Sequence, residues 1–150
     1  MKLWVPLVLL AVATALPVGA QSNQVLDELL EREALQYGEA AYLVLVAIDR
    51  LPEEASLEEA AAVLPGQFRA VPARAAGEAI PLGEYAYLLM QAFDVGGGLM
   101  YRLAPGPRYA ARELAHLEVI RGKAHPGRAV SGAEAMQILR RLLEWKEELS

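Results

Sequence analysis

Hydrolytic chemistry needs a nucleophile held beside a base, and this sequence offers few of the parts. It contains no Cys, and Thr14 is its only Thr. Beyond residue 20 its Ser residues are Ser22, Ser56, Ser131 and Ser150. Ser56 and Ser131 stand where helices are expected to begin, which gives each a capping role. The two histidines, His116 and His125, fall on an expected helix and in an expected loop. Zinc sites favour Cys and His at short spacing, and that pattern is missing. Glu53-Glu54 and Glu58-Glu59 could attract a cation, but the spacing of a calcium loop is absent. Acidic residues at a helix start, favoured by the helix dipole, account for them. The chain therefore reads as non-enzymatic, with no metal and no cofactor; a small helical hydrolase is the weaker alternative.

The stretch with most capacity to bind is DVGGGLMYRLAPGP, residues 94–107. Its three consecutive glycines permit close backbone approach or positive φ. Tyr101, Arg102, Arg108 and Tyr109 are close by, and aromatic rings beside arginines suit a sugar, a peptide or a protein partner. The competing reading is a helix stop followed by a loop that packs back on the core. A phosphate loop is excluded, because the Lys-Ser/Thr pair is missing and no strand clearly precedes the glycines.

The elements that must position these residues begin with a leader. Lys2 is followed by an uncharged, mostly apolar run over residues 3–16. Pro17 and Gly19 then precede a small-residue site, with Val18 and Ala20 at its −3 and −1 positions. This is the layout of a secretory signal peptide over 1–20, cleaved after Ala20. A membrane span needs ~20 apolar residues, and this run is shorter and contains Pro6. Export to the periplasm or cell envelope follows as the expectation. Loss of Lys2 takes the formal net charge from −5 to −6. With no basic stripe, the overall charge argues against nucleic acid and against electrostatic docking on anionic lipid. Residues 21–150 are expected to form one domain, held by packing since no disulfide is possible.

Ala and Leu are abundant, and apolar periodicity predicts about six helices with little strand. One starts near Gln24 with Asn23 as its cap. A very apolar one over 38–51 is ended by Pro52. Ser56 and Glu59 form a capping box for SLEEAAAVL, which Pro65-Gly66 closes. Residues 66–80 read as a loop. A helix over 82–94 is stopped by Gly96-Gly97-Gly98, and LMYRL at 99–103 reads as short extended or irregular chain. A helix over 108–119 is stopped by Gly122. Ser131 and Glu134 form a second capping box, opening a helix through Trp145.

Two of these helices echo each other. GEAAYLVLVAID at 38–49 and GEYAYLLMQAFD at 83–94 match at seven of twelve positions without a gap. Small-residue-plus-Glu helices at 38–51, 82–94 and 132–146 alternate with charged ones at 56–64 and 108–119. A period of ~45–50 residues marks a repeat array. The copies are expected over 38–80 and 83–128, with a partial one over 132–150.

The last copy carries ELAHLEVIRG and then PGRAVSGAEAMQILRRLL. This pattern resembles the S-layer homology (SLH) repeat of bacterial envelope proteins. Val119-Ile120-Arg121-Gly122 is similar to that repeat's apolar turn. Pro126 and Val130-Ser131-Gly132-Ala133-Glu134 keep its Pro-to-Glu spacing. Ile80-Pro81-Leu82-Gly83-Glu84 looks like an earlier copy of the same junction. The resemblance implies an all-α domain of helical-pair repeats in the envelope, binding cell-wall polysaccharide or another envelope protein. In that family a Thr-Arg-Ala-Glu junction contributes to glycan binding. The copies here read Pro-Leu-Gly-Glu and Ser-Gly-Ala-Glu, without its Arg, so a purely structural or partner-binding domain is the alternative. Arg128 and Glu134 at the last junction join Tyr101, Arg102, Arg108 and Tyr109 as candidate ligand-binding residues.

Overall fold

The computed structural model describes residues 18–150. The leader expected over 1–20 lies, up to residue 17, outside the described residues. Within them the chain is all-α, with isolated backbone bridges as its only extended pairing. The helices are α1 (Val18–Glu31), α2 (Tyr37–Ala47), α3 (Leu57–Val63), α4 (Leu82–Ala92), α5 (Leu99–Leu103), α6 (Pro107–His116) and α7 (Gly132–Glu148). A 3₁₀ turn over Leu64–Gly66 extends α3.

Two expectations fail at helix starts and in the glycine stretch. α1 already spans Val18–Glu31, so Asn23 lies inside the helix and does not cap it. LMYRL is the helix α5, entered from extended backbone at Gly98 and closed by a bond from the Ala104 N–H to the Met100 carbonyl. Its five residues are too few for hydrophobic periodicity to distinguish helix from strand.

The residues expected to end α2, α4 and α6 also prove wrong. Pro52, the triple glycine and Gly122 all lie beyond the true ends. Asp49, Asp94 and Glu118 each adopt a left-handed φ, of 56°, 50° and 59°. Each end carries the paired bonds of a Schellman motif. The Asp49 and Arg50 N–H groups reach the Val46 and Leu45 carbonyls. Asp94 and Val95 reach Gln91 and Met90; Glu118 and Val119 reach Ala115 and Leu114. The aspartate shared by the two echoing segments therefore occupies a helix-ending position. Asp enters the left-handed region more readily than most residues.

Packing joins the helices in three pairs: α2 with α3, α4 with α6, and α7 with α1. In the last pair α1, early in the chain, packs against α7 at its far end. Buried Leu29 of α1 joins Ile138 and Leu142 of α7 in one continuous apolar cluster with Leu45, Leu89 and Leu114. α2, α4 and α7 are the inner helices, and α2 is buried along almost its whole length.

A cycle of backbone bonds links the starts of the inner helices. The Tyr37 N–H donates to the Glu78 carbonyl (2.7 Å), Leu82 to Arg128 (2.9 Å), and Gly132 to Arg32 (2.9 Å). The first N–H groups of a helix have no partner within the helix, and here the loop of the next unit supplies one. Gly38 and Gly83 repeat the device one residue on, donating to Ala76 and Pro126. That approach leaves no room for a side chain. A Cβ on Gly38 would meet Ala76 Cβ at 2.8 Å, and one on Gly83 would meet Pro126 Cβ at 2.6 Å. The Gly that opens both echoing segments is thus fixed by the neighbouring loop.

Candidate functional site

Each inner helix carries a glutamate three residues after its cap, and each glutamate holds an arginine from the preceding loop or helix end. The pairs are Arg32–Glu39, Arg74–Glu84 and Arg128–Glu134. The junction motifs lack an arginine within four consecutive residues, yet the tertiary structure places one beside every glutamate. Its source lies seven, ten and six residues upstream respectively.

The three pairs differ in how much bonding capacity they leave. Glu39 is 1% exposed, with one oxygen on Arg32 Nε (2.8 Å) and the other on the Gln36 N–H (2.9 Å). The carboxylate makes its half of a capping box and is thereby spent, while Arg32 Nη1 and Nη2 make no hydrogen bond among the described residues. Arg128 is engaged at all three guanidinium nitrogens. Nε donates to the Lys123 carbonyl, Nη1 to Ala129 and Glu134, and Nη2 to the second Glu134 oxygen. The Glu134 hydrogen bond raises the Arg128 pKa further above its ordinary value, against some loss of solvent.

The capping box expected at Ser131 is consequently half made. Ser131 Oγ accepts from the Glu134 N–H, but the carboxylate is turned to Arg128. A two-pronged charged bond outcompetes a single neutral N–H. At the middle junction the cap is Pro81, which has no N–H to offer, so Glu84 cannot form a capping box. Its carboxylate accepts from Arg74 Nη2 at 2.8–2.9 Å. Among the described residues Arg74 Nε and Nη1 make no hydrogen bond, and both partners are about a quarter to a third exposed.

This under-used pair stands in a cleft of about 250 Å³ between the first two helical pairs. Tyr37, Leu64 and the 70–74 loop form one side; Ile80, Tyr87 and Leu88 with Pro105 and Pro107 form the other. Tyr37 is held by its hydroxyl, which donates to the Pro72 carbonyl at 2.9 Å. Burial raises its pKa; Arg74 lowers it in part, and Glu84 adds a smaller upward push. Tyr87 is fixed edge-on by Tyr101, with ring centres 6.3 Å apart at 70°. Apolar walls, ordered aromatic rings and one polar centre with unspent donors are the usual make-up of a small-ligand site.

None of the six residues singled out from sequence lines this cleft. Tyr101 supports it through Tyr87, and Arg128 and Glu134 pair with each other at a different junction. Arg102 is exposed on α5. Arg108 is also exposed, with its guanidinium 5.9 Å from the ring centre of adjacent Tyr109. No hydrogen bond, ion pair or ring contact links the Tyr101–Arg102 pair to the Arg108–Tyr109 pair among the described residues. Sequence reading missed Arg74, Tyr37 and Tyr87 as site residues. Arg74 lies in a loop without period, and the tyrosines sit within apolar helices, so their convergence had no local sign. Glu84 was visible, but only as a capping glutamate.

His116 is exposed at the end of α6, and exposed His125 accepts from the Gly127 N–H through Nδ1 at 3.2 Å. Ser56 and Ser131 each accept the N–H three residues on, as helix caps do. No group of three or more His, Asp or Glu among the described residues could hold a metal ion. No described helix is long and apolar enough to cross a membrane. Comparison with known protein families, with curated proteins and with solved structures finds no match to this chain.

Proposed function

We propose that this chain is an exported, non-enzymatic binding module of the cell envelope, and that its cleft at Arg74–Glu84 takes a segment of cell-wall glycan. The observation that carries the proposal is the contrast among the three junctions. The Glu39 carboxylate is buried and Arg128 is engaged at every nitrogen, whereas at the middle junction a part-exposed carboxylate and unspent arginine donors stand together in an apolar cleft beside Tyr37 and Tyr87. A sugar ring presents an apolar face to aromatic and proline surfaces and hydroxyls to a guanidinium and a carboxylate. Support for export comes from the leader pattern, and support for the ligand class from the SLH-like junctions.

Sedimentation with purified bacterial cell wall tests this reading. The folded protein is expected to be retained, and Arg74→Gln or Tyr87→Ala is expected to lower retention by about tenfold, the loss of ~1.4 kcal/mol of contacts. Arg140→Ala, an exposed change on α7, serves as the control and should leave retention unchanged. If the folded protein fails to sediment, glycan recognition is refuted. The second reading, a structural or partner-binding domain that has lost the glycan, then takes its place. The saturation of Arg128 by internal bonds favours that version at its own junction.

A further inference from the structure

Three large apolar side chains that the fold leaves uncovered belong to one short helix. On α5, Leu99, Met100 and Leu103 are 71%, 52% and 72% exposed. The fourth large apolar residue, Tyr101, points inward to Tyr87 and lies against Gly97, whose φ of 59° allows the close turn. α5 is therefore anchored by one face while it presents aliphatic side chains to solvent.

Charge is segregated at the same place. The chain carries a net charge of −5, yet residues 95–112 contain no acid and three arginines, Arg102, Arg108 and Arg112. All three are exposed, and no carboxylate pairs with them among the described residues. Asp94 and Glu113 bound the stretch, with Glu113 lying against Gly98.

We propose that α5 docks on an anionic lipid surface. Leu99, Met100 and Leu103 enter the upper acyl layer, and Arg102 and Arg108 lie among the phosphates. A protein partner would need about 800 Å² of matched surface on each side. Three side chains on a five-residue helix fall short of that, whereas a bilayer imposes no shape match. Apolar residues flanked by cations are the pattern of interfacial attachment. Repulsion between the acidic remainder and the lipid is screened over ~8 Å at physiological salt, so the local arginines govern the contact. The proposal is independent of the glycan reading, although Pro105 and Pro107 carry the same segment on to the cleft wall.

A cysteine-free chain accepts a single label, so the full-length protein can carry a polarity-sensitive fluorophore at Leu103→Cys or, as reference, at Glu58→Cys on α3. Vesicles of phosphatidylglycerol and phosphatidylcholine are expected to blue-shift the label at position 103. Acyl-chain-brominated lipid should quench it, and the label at position 58 should respond to neither. An association constant on the order of 10⁴ M⁻¹, that of a single acyl anchor, is the expected scale. Leu99→Asn with Met100→Asn should weaken the response at position 103 by about tenfold or more, and pure phosphatidylcholine should weaken it too. These residues are exposed, so unchanged circular dichroism is the check on folding. Vesicle attachment that leaves position 103 in water overturns the proposal, since it would act through the amino-terminal segment. Shielding of the label by rising protein concentration without lipid also overturns it, in favour of self-association.

Discussion

Gly132→Ala is expected to open the contact between the first and last helices. Gly132 begins α7, and its N–H donates to the Arg32 carbonyl at the end of α1. A Cβ there would overlap the Leu29 carbonyl oxygen and would stand 2.8 Å from the Leu29 carbonyl carbon and 3.3 Å from Arg32 Cβ. The opposing atoms are mostly backbone, so no rotamer change relieves the clash. Overpacking of this kind costs about 1–3 kcal/mol. Separation of the two elements also threatens the Gly132–Arg32 and Leu35–Val130 backbone bonds, each worth about 1 kcal/mol. The total is about 3–5 kcal/mol, a large share of the ~5–15 kcal/mol that stabilises a domain. At roughly 3–4 °C per kcal/mol for this size, the melting temperature should fall by about 10–20 °C. Gly66→Ala and Gly77→Ala are the controls, because nothing lies within 4 Å of an added Cβ and neither has positive φ. They should be neutral, or stabilising by up to about 1 kcal/mol. Thermal unfolding followed by circular dichroism gives the magnitude, and hydrogen exchange should show protection lost first in α1 and the start of α7. A Gly132→Ala protein that melts within about 3 °C of the parent refutes the reasoning, since ~1 kcal/mol or less would then be at stake.

Three further predictions follow from the helix ends and the buried polar groups. Glu118 sits at a left-handed φ of 59°, so Glu118→Gly should raise stability by about 0.5–1 kcal/mol in urea titration, with a smaller gain for Asp94→Gly; a lower midpoint for Glu118→Gly would count against strain at that position. The hydroxyl of Tyr85 is buried and donates to the Ala135 carbonyl, and burial raises its pKa as it does for Tyr37, Tyr42 and Tyr101. Phenol protons are therefore held more tightly in the folded chain than at the unfolded value near 10. Their stabilisation is complete below pH ~10 and declines as pH rises through the folded values. Absorbance at 295 nm should show these four phenols ionising late, together with loss of helix; ionisation near pH 10 with the helix intact would contradict the burial. Gln91 Nε2 is buried without a partner among the described residues, a cost of about 1–3 kcal/mol, so Gln91→Met should stabilise the protein, and a lower melting temperature would show that the amide has a use.

What the sequence by itself determined is local grammar. The inner helices expected over 38–51, 82–94 and 132–146, the capping box at Ser56–Glu59 and the apolar faces all depend on residues within about four positions of one another, and their existence was legible. Helix ends were less so. A left-handed aspartate or glutamate looks like any acid in a string of letters, while Pro and Gly attract the eye. The two Gly-Glu segments visibly echo each other, but the reason for their Gly lies in loops 38 and 43 residues further along the chain, at Ala76 and Pro126. Only the tertiary structure decided which arginine joins each glutamate, that α1 returns to complete the pair with α7, and that Tyr37, Arg74, Glu84 and Tyr87 share a cleft. Such contacts span tens of residues, and their geometry is set by how packed units abut. No periodicity or motif within one segment encodes that distance. The candidate residues near the glycine stretch were drawn from one contiguous segment, whereas the cleft takes its walls from four.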